Sequence, residues 1–237
     1  MRIQHKTYLI ILFSVYLIFL SQLMFAQDSG TAKTEIYSKL RDRRCTTMTI
    51  LECNCPDARE MRAYIDALIE AGISKEDIFY KVAKKFSLNT ILDARIKKDV
   101  EKRLIKEIGV KRPQIILESN SFDFGQVSKR KGKISKVFKF ANHGNTPLII
   151  TNIKTSCPCA TASLKVNKKK TPHFGTEGAP KNWQIEIKPG GNGELELMID
   201  LKSEHVKRGK LIREVSIFSN DPVYSEVTAK VEADVND

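Results

Sequence analysis

Apolar residues recur at helical spacing from residue 56 to residue 108. Pro56 suits the first position of a helix, and Ser74 followed by Asp77 is typical of the start of a second one. Asn89 is expected to cap a third helix. The stripes are Met61, Tyr64, Ile65, Leu68 and Ile69; Ile78, Phe79, Val82 and Phe86; and Leu92, Ile96, Val100, Leu104 and Ile108. Three amphipathic helices with short connections predict a three-helix bundle.

After "VKRPQ" at 110–114 the apolar period changes from helical to alternating. Seven runs rich in Val, Ile, Phe and Thr follow, separated by turn sequences such as "NHGNTP" and "KPGGNG". Seven short strands without a helical interruption predict an antiparallel sandwich of the immunoglobulin-like type. The fold class is therefore α+β in separate domains: a helical domain at 27–109, a linker at 110–114, and an all-β sandwich of about seven strands at 115–237.

The first 26 residues have the layout of a secretory signal peptide. Arg2 and Lys6 precede an apolar run that begins at Tyr8, and cleavage is expected after Ala26. The alternative is an uncleaved anchor, because the 19 residues from Tyr8 to Ala26 are long enough to cross a bilayer. Either way, the chain is expected to be periplasmic or otherwise extracytoplasmic, released or held at the inner membrane.

The chain is basic, with 40 Lys and Arg against 28 Asp and Glu and a formal net charge of +12. The two signs are interspersed, so the charge is interpreted as a solvated surface with mild affinity for anionic surfaces. Nucleic acid is not an expected partner of an exported chain. The densest basic cluster, "KVNKKKTPH", falls in a segment at 165–182 that is predicted to be a mobile loop.

Five cysteines in an oxidising compartment call for an explanation. If Pro56 starts a helix, Cys55 lies at its cap, where unpaired amides and the macrodipole would lower the thiol pKa. Cys53 could then resolve a mixed disulfide, since a C-x-C ring is tight and comparatively easy to reduce. The alternative is structural: Cys45 bridges to Cys53 or Cys55 and pins the preceding segment to the helices.

The second pair, Cys157 and Cys159, lies in a run that is predicted to be extended. Residues two apart on a strand face the same side, so the two sulfurs could bind Cu(I) or Zn(II) or form a redox pair. His143, His173 and His205 are possible further ligands, although their spacing does not show that they converge. No C-x-x-C-H occurs, so covalent c-type haem is not expected, and no cofactor other than copper or zinc is indicated.

The segment "TILECNCP" with "AREMRAYIDALIEAGISKEDIFYKVAKKF" resembles the helical domain of cytochrome c biogenesis proteins of the CcmH/CycL/NrfF type, over residues 43–108. The resemblance implies action on the haem-attachment cysteines of apocytochrome c, with apocytochrome or maturation proteins as partners. The family's usual C-x-x-C is absent, because Cys45 is followed by Thr46 and Thr47 without a partner cysteine. Two alternatives follow. In one, Cys55 attacks a disulfide while Cys53 or Cys45 resolves it; in the other, the domain has kept the scaffold and lost the exchange reaction.

The second half, through "FDFGQV", "FANHGNTPLIITNIKTSCPCATASL" and "SIFSNDP", resembles a family of exported bacterial domains of unknown function. These domains are related to the immunoglobulin-like major sperm protein and ASH domains. The family's S-C-G-C-T corresponds to 156–161 here, with Pro158 in place of glycine. The resemblance covers 115–235 and implies the fold rather than an activity.

Three functions follow from these observations. The first is an exported cytochrome c maturation protein that acts by thiol–disulfide exchange. The second is a non-catalytic binding module of the cell envelope, and the third is a metal carrier that uses Cys157 and Cys159. Hydrolase and nucleotide-dependent functions have no support, since neither a catalytic serine motif nor a phosphate-binding loop occurs.

Overall fold

The structure is a computed structural model that describes residues 30–42 and 48–237. The predicted signal peptide or anchor and Cys45 lie outside these residues. The chain divides into two compact units. The first comprises the chain up to Val82 together with Thr90–Asp93. The second comprises Ala83–Asn89 and Ala94–Asp237. Within the described part of the chain, no helix combines the length and the hydrophobicity needed to cross a membrane.

The helices are α1 at 30–38, α2 (Pro56–Glu70), α3 (Lys75–Lys85) and α4 (Ala94–Ile108), with a 3-10 turn at Leu88–Thr90. Ser74 caps α3 as predicted, since its Oγ accepts from the Asp77 amide at 3.2 Å. The predicted Asn89 cap is wrong. The Asn89 side chain instead donates to the Glu226 carbonyl at 2.6 Å and accepts from Lys97 at 2.7 Å, so α4 starts five residues later.

The first unit contains α1, which the apolar pattern did not predict. Tyr37 on α1 donates its hydroxyl to the Asp66 carboxylate on α2 at 2.6 Å. The chain after α1 then pairs with 90–92 through an antiparallel bridge between Leu40 and Ile91, and both residues are buried. This bridge fixes the segment that leads into Asp42.

The predicted separate three-helix bundle is not confirmed, because α4 belongs to the same compact unit as the strands. Within that unit, the Tyr224 hydroxyl donates to the Glu101 carboxylate of α4 at 2.5 Å. Val100 and Leu104 are the buried residues of α4, whereas Leu92, which was predicted to share their stripe, is exposed. Helical periodicity identified the helix but could not identify its packing partner.

The sandwich has ten strands in two five-stranded sheets. Its strands are β1 (Ile115–Leu117), β2 (Ser121–Ser128), β3 (Lys133–Asn142), β4 (Leu148–Thr155), β5 (Ala160–Val166), β6 (Lys169–Lys170), β7 (Ile185–Ile187), β8 (Asn192–Asp200), β9 (Gly209–Ser219) and β10 (Glu226–Asn236). One sheet has the order β1-β3-β8-β5-β6, and the other has the order β2-β10-β9-β4-β7. The fold is an immunoglobulin-like sandwich.

Alternation explains why these segments form strands and where the core lies. In β8, Leu195, Leu197 and Ile199 are buried, and the residues between them are only partly buried. Phe140 on β3 lies directly opposite Gly193 on β8. A Cβ at Gly193 would lie 2.4 Å from the Phe140 ring, so this glycine makes room for the aromatic side chain.

All seven predicted runs contain a strand, but three further strands were missed. The missed strands are β2, β5 and β6. β6 is only two residues long, and β5 begins with the small residues of "ATAS", which carry little strand signal. β5 and β6 pair at Lys165–Lys170, so the predicted loop at 165–182 starts as a hairpin. The sandwich is also not wholly antiparallel, because β2 and β10 pair in parallel.

The predicted linker at 110–114 carries a buried ion pair. Arg112 Nη1 lies 3.0 Å from Asp221 Oδ1, and the Asp221 side chain is fully buried. The same carboxylate also accepts from the amides of Ile115 and Val223. These bonds fix the start of β1, while the domain boundary at 110–114 remains a prediction.

Candidate functional site

Cys55 caps helix α2, as the position of Pro56 predicted. Cys55 is the N-cap residue with an extended backbone, and Pro56 is the first helical residue. The amide of Ala58 donates to Cys55 Sγ at 3.4 Å. The sulfur therefore lies at the positive end of the helix, as expected.

The predicted lowering of the Cys55 pKa is wrong. Burial and the contact with Asp42 raise the pKa of this thiol to about 11, although the Ala58 amide acts in the opposite direction. Cys55 Sγ donates to Asp42 Oδ2 at 3.0 Å, which holds the proton on sulfur. A thiol with this pKa is protonated at neutral pH, so it is a poor attacking group.

Cys53 is buried beside Cys55, and both residues carry thiols. Arg62 on α2 donates to the Cys53 carbonyl at 2.7 Å and also bonds the Ile50 carbonyl. The Cys53 amide donates to the Thr49 carbonyl at 2.9 Å. The loop before α2 is thus held by its own helix. The predicted bridge from Cys45 involves a residue outside the described part of the chain.

The sequence reasoning missed Asp42, which completes a cluster with the two thiols. The ligand atoms of Asp42, Cys53 and Cys55 all lie within 4.8 Å of one another. Asp42 is 1% exposed. In the sequence it stands in the basic run "RDRRC", where an acidic residue is expected to be a surface charge. Its burial depends on the bridge that follows α1, which no local pattern indicated.

Cys157 and Cys159 lie in the turn between β4 and β5, and not on a strand as predicted. Their sulfurs form a disulfide, and both residues are buried. Pro158 stands between them and belongs to no strand. The Ala160 amide donates to the Cys157 carbonyl at 2.9 Å, and this hydrogen bond closes the turn. Because the two sulfurs are bonded to each other, they are not the pair of thiolates that the predicted Cu(I) or Zn(II) site requires.

Arg213 on β9 is the second functional residue that the sequence reasoning missed. Its Nε donates to Cys159 Sγ at 2.9 Å, and its Nη2 donates to the His205 carbonyl at 2.8 Å. Burial lowers the pKa of the guanidinium. The partly desolvated cation therefore lies against one sulfur of the disulfide. Arg213 occurs in the alternating run "LIREVSIF", whose pattern does not indicate a contact with a cysteine.

The three candidate histidines do not join the second cysteine pair. His143, His173 and His205 are exposed. The His205 imidazole lies 3.7 Å from the adjacent Glu204, and its part in the site is the backbone carbonyl that Arg213 contacts. Among the described residues, only Asp42, Cys53 and Cys55 form a group of metal-ligating type.

One protein family matches the sandwich. It is described as a protein of unknown function (DUF1573), and the match covers residues 115–179, which include Cys157 and Cys159. This agrees with the resemblance seen in the second half of the sequence. The resemblance of residues 43–108 to cytochrome c biogenesis proteins receives no support from this match. No curated protein matches the chain.

Several solved structures are similar to part of the chain. A protein of unknown function from Porphyromonas gingivalis W83 is 25% identical with a TM-score of 0.38, over 53% of this chain and 49% of that one. The ASH/PapD-like domain 7 of human CEP192 is 9% identical with a TM-score of 0.36, over 54% and 88%. The CooA pilin subunit of enterotoxigenic Escherichia coli is 13% identical with a TM-score of 0.32, over 53% and 99%. The chain thus spans about half the length of the P. gingivalis protein.

Proposed function

We propose that this chain is an exported thiol–disulfide exchange protein of the cytochrome c maturation type, with Cys157 and Cys159 as its redox pair. One observation carries the proposal: the Cys157–Cys159 disulfide lies against the Arg213 guanidinium, with 2.9 Å between Arg213 Nε and Cys159 Sγ. A cation beside a sulfur stabilises its thiolate, which is the reactive form in exchange. Arg213 is suited to this role because it remains charged at any physiological pH.

In the reduced pair, Cys159 is the attacking residue. Its thiolate, paired with Arg213, attacks one sulfur of a substrate disulfide, and the other substrate sulfur leaves and takes a proton from water. Cys157 then loses its proton and attacks Cys159 Sγ in the mixed disulfide, which releases the second substrate thiol. The substrate gains two electrons and two protons, and the pair returns to the disulfide. A second exported dithiol protein has to reduce the pair for the next cycle.

The proposed substrate is an oxidised apocytochrome c, whose haem-attachment cysteines have to be reduced before haem is joined to them. The resemblance of residues 43–108 to the helical domain of cytochrome c biogenesis proteins supports this choice. Cys55 is not the proposed attacking residue, because its pKa is raised to about 11. The helical segment is then proposed to engage the apocytochrome or a maturation partner, while the sandwich carries the chemistry.

A non-catalytic envelope module is the second candidate, and burial favours it. Cys157 is 7% and Cys159 is 4% exposed, so a substrate sulfur reaches them only when the turn at 156–159 opens. A disulfide that is never reduced would only cross-link the turn between β4 and β5. The two candidates therefore differ in whether the pair exchanges with external thiols.

The test is a glutathione redox titration of the full chain in detergent, combined with reduction of a disulfide-bonded C-x-x-C-H peptide. The expected result is a pair that titrates within the glutathione series and a reduced protein that converts the peptide to its dithiol form. The Cys157→Ser/Cys159→Ser variant should lose this activity, and Cys53→Ser/Cys55→Ser should keep it. A pair that stays oxidised throughout the series, or peptide reduction that survives loss of Cys157 and Cys159, would show that the proposed mechanism is wrong.

A further inference from the structure

The cluster of Asp42, Cys53 and Cys55 takes no part in the exchange reaction, and its chemistry is different. Two sulfurs and a carboxylate meet within 4.8 Å at the N-terminus of α2. Asp42 comes from the segment after α1, and the two cysteines come from the loop before α2. Three groups of ligand type from two separate segments converge on one point.

The cluster is buried. Asp42 is 1% and Cys53 is 4% exposed. Carboxylates that are removed from water are paired, hydrogen-bonded or bound to a metal ion. Cys55 Sγ donates to Asp42 Oδ2 at 3.0 Å, so a sulfur and a carboxylate oxygen are already in direct contact. A metal ion that replaced the thiol proton would therefore meet two adjacent ligand atoms.

The loop that carries the sulfurs is held from outside the cluster. Arg62 donates to the Cys53 carbonyl and Arg59 donates to the Asn54 carbonyl, each at 2.7 Å. The Ala58 amide donates to Cys55 Sγ at 3.4 Å. Such bonds orient ligands and stabilise a thiolate once its proton is gone, and metal sites depend on them for affinity.

We propose that Asp42, Cys53 and Cys55 bind a divalent metal ion of the zinc class. Two thiolates and one carboxylate are ligands that zinc accepts, whereas Cu(I) favours sulfur ligands and disfavours a carboxylate. With bonds of about 2.3 Å to sulfur and about 2.0–2.2 Å to oxygen, tetrahedral ligand atoms lie about 3.5–3.8 Å apart. The ligand atoms lie within 4.8 Å of one another, and Cys55 Sγ lies 3.0 Å from Asp42 Oδ2. Metal binding therefore requires this contact to widen by about half an ångström and any wider separation to close by up to about 1 Å.

Binding is coupled to proton release. Neither cysteine is in a disulfide, so the metal ion has to displace the thiol protons of Cys53 and Cys55 while Asp42 binds as the carboxylate. The balance is one divalent ion bound and two protons released. Because protons compete with the metal ion for these ligands, affinity rises as pH rises.

The test is a zinc titration of the full chain in detergent by calorimetry, in two buffers of different ionisation enthalpy. The expected result is one zinc ion per chain and release of about two protons per ion at neutral pH. Cobalt added in place of zinc should give thiolate-to-cobalt charge-transfer bands and the intense visible bands of a tetrahedral site. Absence of the charge-transfer bands, or zinc binding without proton release, would overturn the proposal.

Variants identify the ligands. Cys55→Ser and Asp42→Asn should each weaken zinc binding about tenfold or more, whereas Glu52→Gln, an exposed acidic residue of the same loop, should leave it unchanged. Far-UV circular dichroism shows whether each variant is folded. Cys53→Ser tests the third ligand, and Cys55→Ser and Asp42→Asn are sufficient to test the site if Cys53→Ser does not fold. Unchanged affinity in Cys55→Ser would overturn the proposal.

One more variant separates this site from the second cysteine pair. Cys157→Ser/Cys159→Ser abolishes the proposed exchange activity and should still bind one zinc ion, so the two proposals fail independently. Loss of zinc in this variant would overturn the proposed ligand set.

Discussion

Arg213 Nε and Cys159 Sγ lie 2.9 Å apart, although 54 positions separate the two residues in the chain. The arginine comes from β9 and the cysteine from the turn that leads into β5. The contact places a fixed positive charge at one end of a two-residue disulfide. It also gives the two sulfurs different hydrogen-bond donors, because Cys157 Sγ accepts from the Cys159 amide at 3.2 Å and not from a charged group.

Arg213→Ala should make the reduction potential of the Cys157–Cys159 pair more negative. Arg213 stabilises the Cys159 thiolate, hence the reduced form, and a hydrogen bond to a charged group contributes about 1.5 kcal/mol. That energy corresponds to about 30 mV for a two-electron couple. A glutathione or dithiothreitol titration measures the shift. Arg208→Ala, which removes an exposed arginine nearby in sequence, is the control and should leave the potential unchanged.

Cys55 should react slowly with alkylating reagents at neutral pH and faster as the pH approaches about 11. The folded state holds this proton more tightly than an ordinary thiol of pKa 9.0 does. Its contribution to stability is therefore fully present below 9.0 and is lost as the pH rises to about 11. Residue-specific alkylation followed by mass spectrometry measures the profile. Asp42→Asn should move it to lower pH, and an unshifted profile would contradict the role of Asp42.

Arg62→Ala should destabilise the loop that carries Cys53. The Arg62 guanidinium satisfies the carbonyls of Ile50 and Cys53, and leaving buried acceptors without a donor costs about 1–3 kcal/mol. Arg59→Ala, one turn away on the same helix, removes a single exposed bond to Asn54 and should cost less than about 1 kcal/mol. Urea unfolding followed by circular dichroism compares them. Equal losses of stability in the two variants would contradict the larger contribution assigned to the Arg62 hydrogen bonds.

Asp221→Asn should destabilise the sandwich strongly. Asp221 is fully buried against Arg112, and removing one charge of a buried pair costs about 3–5 kcal/mol because the other remains uncompensated. Asp234→Asn changes an exposed carboxylate on β10 and should cost less than about 0.5 kcal/mol. Thermal unfolding of both variants tests the difference. A loss below about 1 kcal/mol for Asp221→Asn would contradict a buried charge pair.

Local patterns predicted the elements that depend on neighbouring residues. Pro56 placed Cys55 at the cap of α2, Ser74 marked the start of α3, and alternation located seven of the ten strands. These signals act over a few residues, so they can be recognised from the sequence alone. The same reasoning failed for Asn89, because its side chain bonds Glu226, which is 137 positions away.

The site chemistry could be predicted only in part, for the same physical reason. The sequence identified both cysteine pairs and the helix end beneath Cys55. It assigned the wrong direction to the Cys55 pKa, because the helix end was known and the burial and the Asp42 carboxylate were not. It left open whether the second pair is a metal site or a redox pair, because the spacing showed neither the disulfide nor Arg213.

By itself, the sequence determined where helices and strands form and which residues carry sulfur, since backbone preference and side-chain identity are local properties. Tertiary structure alone decided which charge meets which sulfur. Asp42 reaches Cys55 only because the chain after α1 pairs with Ile91, and Arg213 reaches Cys159 only because β9 lies beside β4. A thiol's reactivity depends on charge and solvent within a few ångströms, and folding, not spacing, places those neighbours.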